Sequence, residues 1–484
     1  MLPRGVPPDG WVAVVKRGCP TCQLVEPVLA QLDAAAGLVV FSQDDPAFPE
    51  KVARVVDDTE LEISYRLGIE TVPTLLRLDG GEEKARTEGW LRSAWEKLTG
   101  VAALGPGLPD HRPGCGSRTL EPDVAEALLV RHGGSRLRSR RVELAELEDE
   151  AEALHDRGWS DGLPVVAPTE ARVLRMLEGT TRAPDEVVAV VPPDLVECTV
   201  EKVAVNAVLA GCRPEYLPVV LAAVEAACTN EFNAHGVLAT TWAAGPAVIV
   251  NGPVAKEIGM NGGLNALGQG NRANATIGRA LQLVIQNVGG GRPGGVDRAT
   301  LGSPGKVGFC FAENESESPW EPLSVARGMP EGTSAVTVFA TEGPRGVFDQ
   351  ISRTPESLSR SFAAALRAVA HPKLALTFDA ALVVSPEHAR VFAQAGWSRE
   401  RLADELAGLL RLDPAEVVRG AAGIDEGVPA AMATEPVPKF RPGGLLILHA
   451  GGRAGMFSAV LGGWVGGRGG SEPVTKPVTG EVLR

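Results

Sequence analysis

Trp11-Val-Ala-Val-Val-Lys-Arg-Gly-Cys-Pro-Thr-Cys22 runs an apolar pentad into a short polar turn and then into two cysteines separated by two residues. The pattern predicts a buried strand, a turn and a helix that starts at the thiols. Two cysteines placed at a strand-to-helix turn bring both sulfurs within bonding reach. The helix N-terminus stabilises the thiolate of the first cysteine and lowers its pKa. The stretch therefore predicts a dithiol/disulfide centre in which Cys19 attacks and Cys22 resolves. A zinc ligand pair is the other use of such spacing, but no second pair at zinc spacing exists in the chain.

Working outward, Pro27 lies five positions after Cys22, and Thr71-Val72-Pro73-Thr74 follows downstream. The expected order is a strand over Trp11 to Val15, a helix over Cys22 to Ala35, a strand over Leu38 to Ser42 and a helix over Phe48 to Asp57. The Pro73 turn comes next, then strands near Leu75 to Leu78 and Lys84 to Gly89 and a helix from Leu91. On these residues the region from about Gly10 to Gly100 resembles a thioredoxin-like domain. The resemblance implies a kink at Pro27 and a cis peptide before Pro73, held against the disulfide. Gly18 stands where that family usually carries Trp, and Ala13 takes the place of its buried acid, which favours a dedicated electron donor over a general disulfide reductase.

The chain has 484 residues, too many for one ordinary domain, and two or three domains are expected. A formal charge of −13 argues against nucleic acid and against an anionic membrane surface as partners. The N-terminal residues lack an apolar h-region, and no apolar run reaches the roughly 20 residues that span a bilayer. Seven dispersed cysteines suit a reducing compartment, and a cytoplasmic location is expected.

Residues 101–155 read as a linker. Gly105 to Ser117 is rich in Gly and Pro and is expected as an extended loop, followed by charged helices over Val124 to His132 and Val142 to His155. The first of these is followed by Arg136, Arg138, Arg140 and Arg141; the second carries Glu143, Glu146, Glu148, Asp149 and Glu150. Cys115 stands out as a thiol in a mobile loop near His111, Arg112 and Arg118, whose charge favours thiolate. Two readings stay open for it: an electron shuttle that exchanges with Cys19, or an incidental exposed thiol.

Residues 156–484 show an alternation of strands and helices that argues for a larger layered α/β domain. Strands are expected at Ala247 to Asn251, Val307 to Phe311, Ala335 to Ala340, Ala381 to Ser385 and Gly444 to His449, with a short strand before Thr169. Helices are expected at Ala171 to Glu178, Glu197 to Ala210, Pro214 to Cys228, Ala273 to Val288, Ser357 to Val369, Pro386 to Ala395 and Arg399 to Leu410. No internal repeat stands out. Trp159-Ser-Asp-Gly-Leu-Pro-Val-Val166, Gly211-Cys-Arg-Pro-Glu-Tyr216, Val250-Asn-Gly-Pro253, Gly270-Asn-Arg-Ala-Asn-Ala275, Phe309-Cys-Phe-Ala-Glu-Asn314 and Ser318-Pro-Trp320 resemble the large proteins of the UGSC family of selenoprotein homologues. In that likeness Cys115-Gly-Ser-Arg118 corresponds to the family motif, with Cys115 at the selenium position and Arg118 where a second cysteine would stand. The resemblance implies redox or thiol chemistry and names no substrate.

Candidate site residues in this part fall into four groups. Gly268-Gln-Gly-Asn-Arg-Ala273 matches a dinucleotide fingerprint only formally, and a nicotinamide site is not expected. Asn271, Arg272 and Asn274 at the helix start either bind an anion or cap the helix. Cys228, Glu231 and His235 offer a thiol, an acid and an imidazole for metal binding or acid/base work, with a structural role the alternative for Cys228. Cys310, Glu313 and Asn314 lie at a strand end, where function in α/β domains gathers, although Cys310 between two phenylalanines also reads as a core thiol. His449 and Arg453 follow a further strand and suit an anionic group or a thiolate.

The function expected is a thiol/disulfide oxidoreductase whose Cys-Pro-Thr-Cys module, with Pro73 and Cys115, supplies electrons to a reaction of the C-terminal domain on a small molecule. The alternatives are a protein that binds a metal, an organometal or a small thiol, and a thiol-dependent carbon–heteroatom lyase. The redox module requires no cofactor, and a metal in the larger domain is left open. An external thiol or a reductase of the thioredoxin-reductase type is the expected electron donor, and self-association is compatible with the composition.

Overall fold

The computed structural model describes residues 3, 5–133, 137–145, 148–420, 425–432 and 435–480. The chain divides into two compact units, Met1–Arg136 and Leu137–Arg484. Both mix helices and sheets, so the protein is of the α/β class.

The first unit is built on a five-stranded sheet of order β3-β2-β1-β5-β6, with β1 Gly10–Val15, β2 Leu38–Ser42, β3 Val55–Asp57, β5 Thr74–Asp79 and β6 Glu82–Glu88. Strands β1, β2 and β3 run parallel, and β5 and β6 continue the sheet antiparallel. Val12 to Val15 are fully buried on both faces, which is why the run is apolar without alternation. The first helix comes in two pieces, α1 Pro20–Leu24 and α2 Glu26–Ala36, with Pro27 inside the first turn of the second. A proline has no N–H to give, so the break falls at the turn that precedes it.

Two expectations fail in this unit. No helix covers Phe48 to Asp57; Pro46 and Pro49 interrupt the segment, the β-branched Val55 and Val56 enter β3, and the helix forms later as α3 Glu62–Arg66. Asp58 anchors that helix by accepting from the Ile63 and Ser64 amides at 3.0 and 2.9 Å. Nor is the Gly/Pro-rich stretch an extended loop. It forms β8 His111–Arg112, paired with β7 Trp90–Leu91, and β9 Cys115–Gly116, paired with β4 Thr71–Val72. Helices α4 Arg92–Thr99 and α5 Pro122–His132 complete the unit, so the expected linker up to residue 133 is part of it.

In the second unit, helix α6 spans only Glu150–Asp156 of the charged segment, started by the Asp149 side chain; Arg136 and Glu146 lie outside the described residues. No strand precedes Thr169, which caps α7 Glu170–Leu177. A hairpin, β10 Val187–Val191 and β11 Val196–Thr199, occupies the start of the expected helix at Glu197, and α8 begins at Val200 and ends at Ala210. After α9 Leu217–Ala227 and α10 Ala234–Ala239 come β12 Gly245–Asn251, α11 Pro253–Glu257, α12 Arg272–Asn287, β13 Phe309–Ala312, α13 Leu323–Ala326 and β14 Ala335–Phe348. Then follow α14 Pro355–Arg367, β15 Phe378–Val384, α15 Pro386–Gln394, α16 Arg399–Leu409, the short pair β16 Arg411–Leu412 and β17 Val437–Pro438, β18 Leu445–His449, β19 Phe457–Val465 and β20 Val474–Pro477.

The main sheet has the order β13-β12-β14-β19-β15-β18, with β20 paired to β14. Its connectivity repeats. β12 pairs parallel with β13 and antiparallel with β14, and β15 pairs parallel with β18 and antiparallel with β19; α11 and α12 lie between the parallel strands of the first set, and α15, α16 and a one-turn helix Pro414–Val417 between those of the second. The topology is thus a tandem pair that the sequence does not announce. Alternate residues of all six strands, among them Ile249, Phe311, Phe339, Val383, Leu448 and Leu461, share one apolar cluster. The opposite residues pack on α8, α9 and α12 in the first set and on α14, α15 and α16 in the second. Filling a single cluster from six strands requires the sheet to curl, and its outermost strands meet at their carboxyl ends, where the Asn314 amide donates to the His449 carbonyl at 2.8 Å.

Candidate functional site

Three cysteines converge in the first unit. Cys19 precedes α1 and accepts the Cys22 amide at 3.4 Å. Cys115 is carried to it by β9, which lies antiparallel on β4 with Cys115 opposite Val72 and Gly116 opposite Thr71. The two sulfurs, Cys19 Sγ and Cys115 Sγ, stand 2.8 Å apart, while Cys19 Sγ lies 3.5 Å from the Val72 carbonyl oxygen. The Val72-Pro73 peptide is cis. Cys19 and Cys22 have no solvent exposure, whereas Cys115 is half-buried. None of the seven cysteines is in a disulfide.

The electrostatics separate the three thiols. Hydrogen bonding from the Cys22 side chain, then from Cys115 and nearby amides, outweighs desolvation and holds Cys19 down from 9.0 to about 5. Burial, with the Cys19 charge beside it, pushes Cys22 far up. Cys115 is also raised, by burial and by the hydrogen bond to Cys19. One thiolate, on Cys19, is thus shared by two protonated neighbours.

The expectation of a mobile, thiolate-bearing Cys115 is corrected on both counts. Lys16 Nζ donates to the Gly116 carbonyl at 2.7 Å, and Thr21 Oγ1 donates to that of Pro113 at 2.7 Å. The Ser117 amide bonds the Glu70 carbonyl at 2.8 Å, and Thr119 Oγ1 bonds that of Ile69 at 2.6 Å. Buried Gln43 clamps the far side, donating to Ser117 Oγ at 2.7 Å and accepting the Arg118 amide at 3.1 Å. The guanidinium of Arg118 turns away to the Gln43 carbonyl at 2.7 Å, and His111 and Arg112 are exposed in β8, so these charges do not ionise Cys115. Gly114 and Gly89 let the backbones touch: a Cβ at Gly114 would meet the Val72 oxygen at 2.9 Å, and one at Gly89, whose φ is +67°, the Gly114 nitrogen at 2.8 Å.

A second polar centre forms in the second unit where the strands end. Glu313, just past β13, has a buried side chain that accepts from Asn251 Nδ2 at 2.7 Å, the Leu323 amide at 2.7 Å and the His449 amide at 3.1 Å. Arg399 Nη2 lies 3.8 Å away. His449 Nδ1 faces the Asn314 carbonyl at 3.0 Å and therefore carries the proton, leaving Nε2 with its lone pair. Burial lowers the His449 pKa and raises that of Glu313. Asn251 Oδ1, Arg399 Nε and Nη1, and His449 Nε2 are buried without a hydrogen-bond partner among the described residues. Four buried polar atoms without a protein partner thus gather around one carboxyl.

Of the residues expected from sequence, Glu313, Asn314 and His449 come together, and Asn251 and Arg399 were missed. Asn251 ends an apolar strand and Arg399 opens a helix, roles that carry no local signal. Asn271 accepts the Asn274 amide as the cap of α12, Asn274 ties down Asn261, and Arg272 bonds the Gly211 carbonyl. Glu231 and His235 are exposed, and among the described residues no three His, Cys, Asp or Glu side chains are placed to hold a metal ion. Cys310 is buried in β13, and desolvation raises its pKa so far that it stays a thiol. Arg453 forms a surface pair with Glu317 at 2.9 Å. No helix among the described residues is long and apolar enough to cross a membrane.

No known family model, curated protein or solved structure matches the chain significantly.

Proposed function

We propose that the protein is a thiol/disulfide oxidoreductase in which a thioredoxin-like first unit delivers two electrons from Cys19 and Cys22 to a thiol-dependent reaction on a small molecule. The observation that carries the reading is the ionised Cys19, 2.8 Å from Cys115 Sγ and backed by Cys22. A low-pKa thiolate beside a protonated, buried partner is the arrangement in which attack and resolution are assigned to different sulfurs. Cys19 is the nucleophile, Cys22 resolves, and Cys115 is the exchange partner.

The larger unit resembles UGSC-family proteins and offers a second, separate polar centre at Asn251, Glu313, Arg399 and His449. Arg399 offers donors to an anionic or carbonyl oxygen, and neutral His449 offers an acceptor. An external thiol or reductase restores the dithiol in a reducing compartment, where seven free cysteines persist.

The test is a redox titration followed by thiol trapping. A reversible two-electron transition that links Cys19 to Cys22, with catalytic consumption of an electron donor, is expected. Stoichiometric retention of a metal or small thiol without donor consumption would replace this reading with that of a binding protein.

A further inference from the structure

The strand that carries Cys115 is a built-in occupant of the face of β4, and it covers the nucleophile. Cys19 is fully buried. The edge of β4 is already paired by β9, Val72 opposite Cys115, so its backbone is not free to pair with an incoming chain. Residues on both sides of Cys115, from Pro113 to Thr119, are hydrogen-bonded to the body of the unit through Thr21, Lys16, Glu70, Gln43 and Ile69. Cys115 itself keeps part of its surface in solvent. An oxidant therefore meets Cys115 before it meets Cys19.

Resting on the redox reading above, we propose that Cys115 is the thiol that reacts with substrate, and that the substrate class is a low-molecular-weight disulfide and not a protein disulfide. The sequence of steps balances. Cys115 Sγ attacks one sulfur of R–S–S–R, its proton passing through the Cys19 thiolate to the departing RS⁻, which leaves as RSH. Cys19, again a thiolate, then attacks Cys115 Sγ, breaking the Cys115–S–R bond, and the second RS⁻ leaves and takes its proton from solvent. Cys22 finally attacks Cys19 Sγ; a Cys19–Cys22 disulfide forms and Cys115 returns as a thiol, taking the Cys22 proton. The net change is R–S–S–R plus the Cys19 thiolate, the Cys22 thiol and one solvent proton to two RSH plus one disulfide, and an external dithiol reduces the pair again. The 2.8 Å approach of the sulfurs makes the second step intramolecular, with no domain motion required.

The experiment uses the full chain and glutathione disulfide as the probe. In the Cys19→Ser/Cys22→Ser protein, a stable glutathione adduct on Cys115 is expected. In Cys115→Ser, oxidation of the Cys19/Cys22 pair by glutathione disulfide should slow by about tenfold or more, because the buried thiolate loses its accessible partner. Reduction of insulin disulfides by the wild type should stay near background and rise when the strap is displaced by Gly114→Val. An unchanged or faster rate in Cys115→Ser, or no adduct in the double variant, would overturn the proposal. If Cys19 and Cys22 fail to form a disulfide with any oxidant, the redox reading itself falls, and the two failures are distinguished by that control.

Discussion

At the residue scale the chemistry turns on one ionised sulfur. Cys19 titrates near 5 because two thiols and backbone amides point at it, with Cys22 the largest contributor. The sign follows from a folded pKa below the ordinary 9.0. Ionisation stabilises the reduced fold fully above pH 9, and the benefit disappears as pH falls through about 5. The ultraviolet thiolate absorbance of the reduced protein should therefore be flat between about pH 6.5 and about pH 8 and fall below that with a midpoint near 5. Cys22→Ala should raise that midpoint more than Cys115→Ala does; the reverse order would show that Cys115 is the principal donor. The pair Cys19 and Cys22 was legible because its spacing is local. The protonation of Cys115 was not, since it depends on burial against distant segments and on a sulfur 96 positions away.

Elements explain where the local reading failed. The Gly/Pro-rich segment looked like a tether because nothing in its composition forms a strand alone; its two short strands exist only through pairing with β4 and β7. Gly114 is the contact that permits this, and a side chain there collides with Thr71 and the Val72 carbonyl. Gly114→Val should lift β9, leave the far-ultraviolet circular dichroism unchanged and speed alkylation of Cys19 by about tenfold. Unchanged alkylation would mean that β9 is not the cover. A second element test concerns Lys439, whose buried Nζ donates to the carbonyls of Val369, His371 and Leu374 at 2.9, 2.8 and 2.8 Å. Lys439→Met removes three charge-assisted hydrogen bonds from the segment after α14 and leaves the Leu374 carbonyl without its donor, while the Val369 and His371 carbonyls keep the His371 and Leu374 amides. It should destabilise the second unit by about 3 kcal/mol in denaturant unfolding.

On the scale of the whole molecule, the strands and helices of the large unit were readable from apolar runs, whereas the tandem connectivity was not. The two sets share a path and not a sequence, so only the pairing of β12 with β13 and β14, and of β15 with β18 and β19, discloses it. The polar centre depends on that arrangement, because Asn251, Glu313 and His449 come from strand ends in both sets. Glu313→Gln cannot accept from all three donors and should lower stability by about 1–3 kcal/mol. Exchange between Cys19 and Cys22 should be unaffected, since the thiol centre is closed by residues 16–119. Loss of exchange in that variant would show that the two centres are not separable.

The most direct measurement is disulfide mapping of Cys22→Ser protein after gentle oxidation. Without its resolving thiol, Cys19 is predicted to be trapped in an intramolecular Cys19–Cys115 disulfide, in monomeric protein and in near-stoichiometric yield. Cys19 found free, or linked only to another chain or an external thiol while Cys115 remains reduced, would contradict the account.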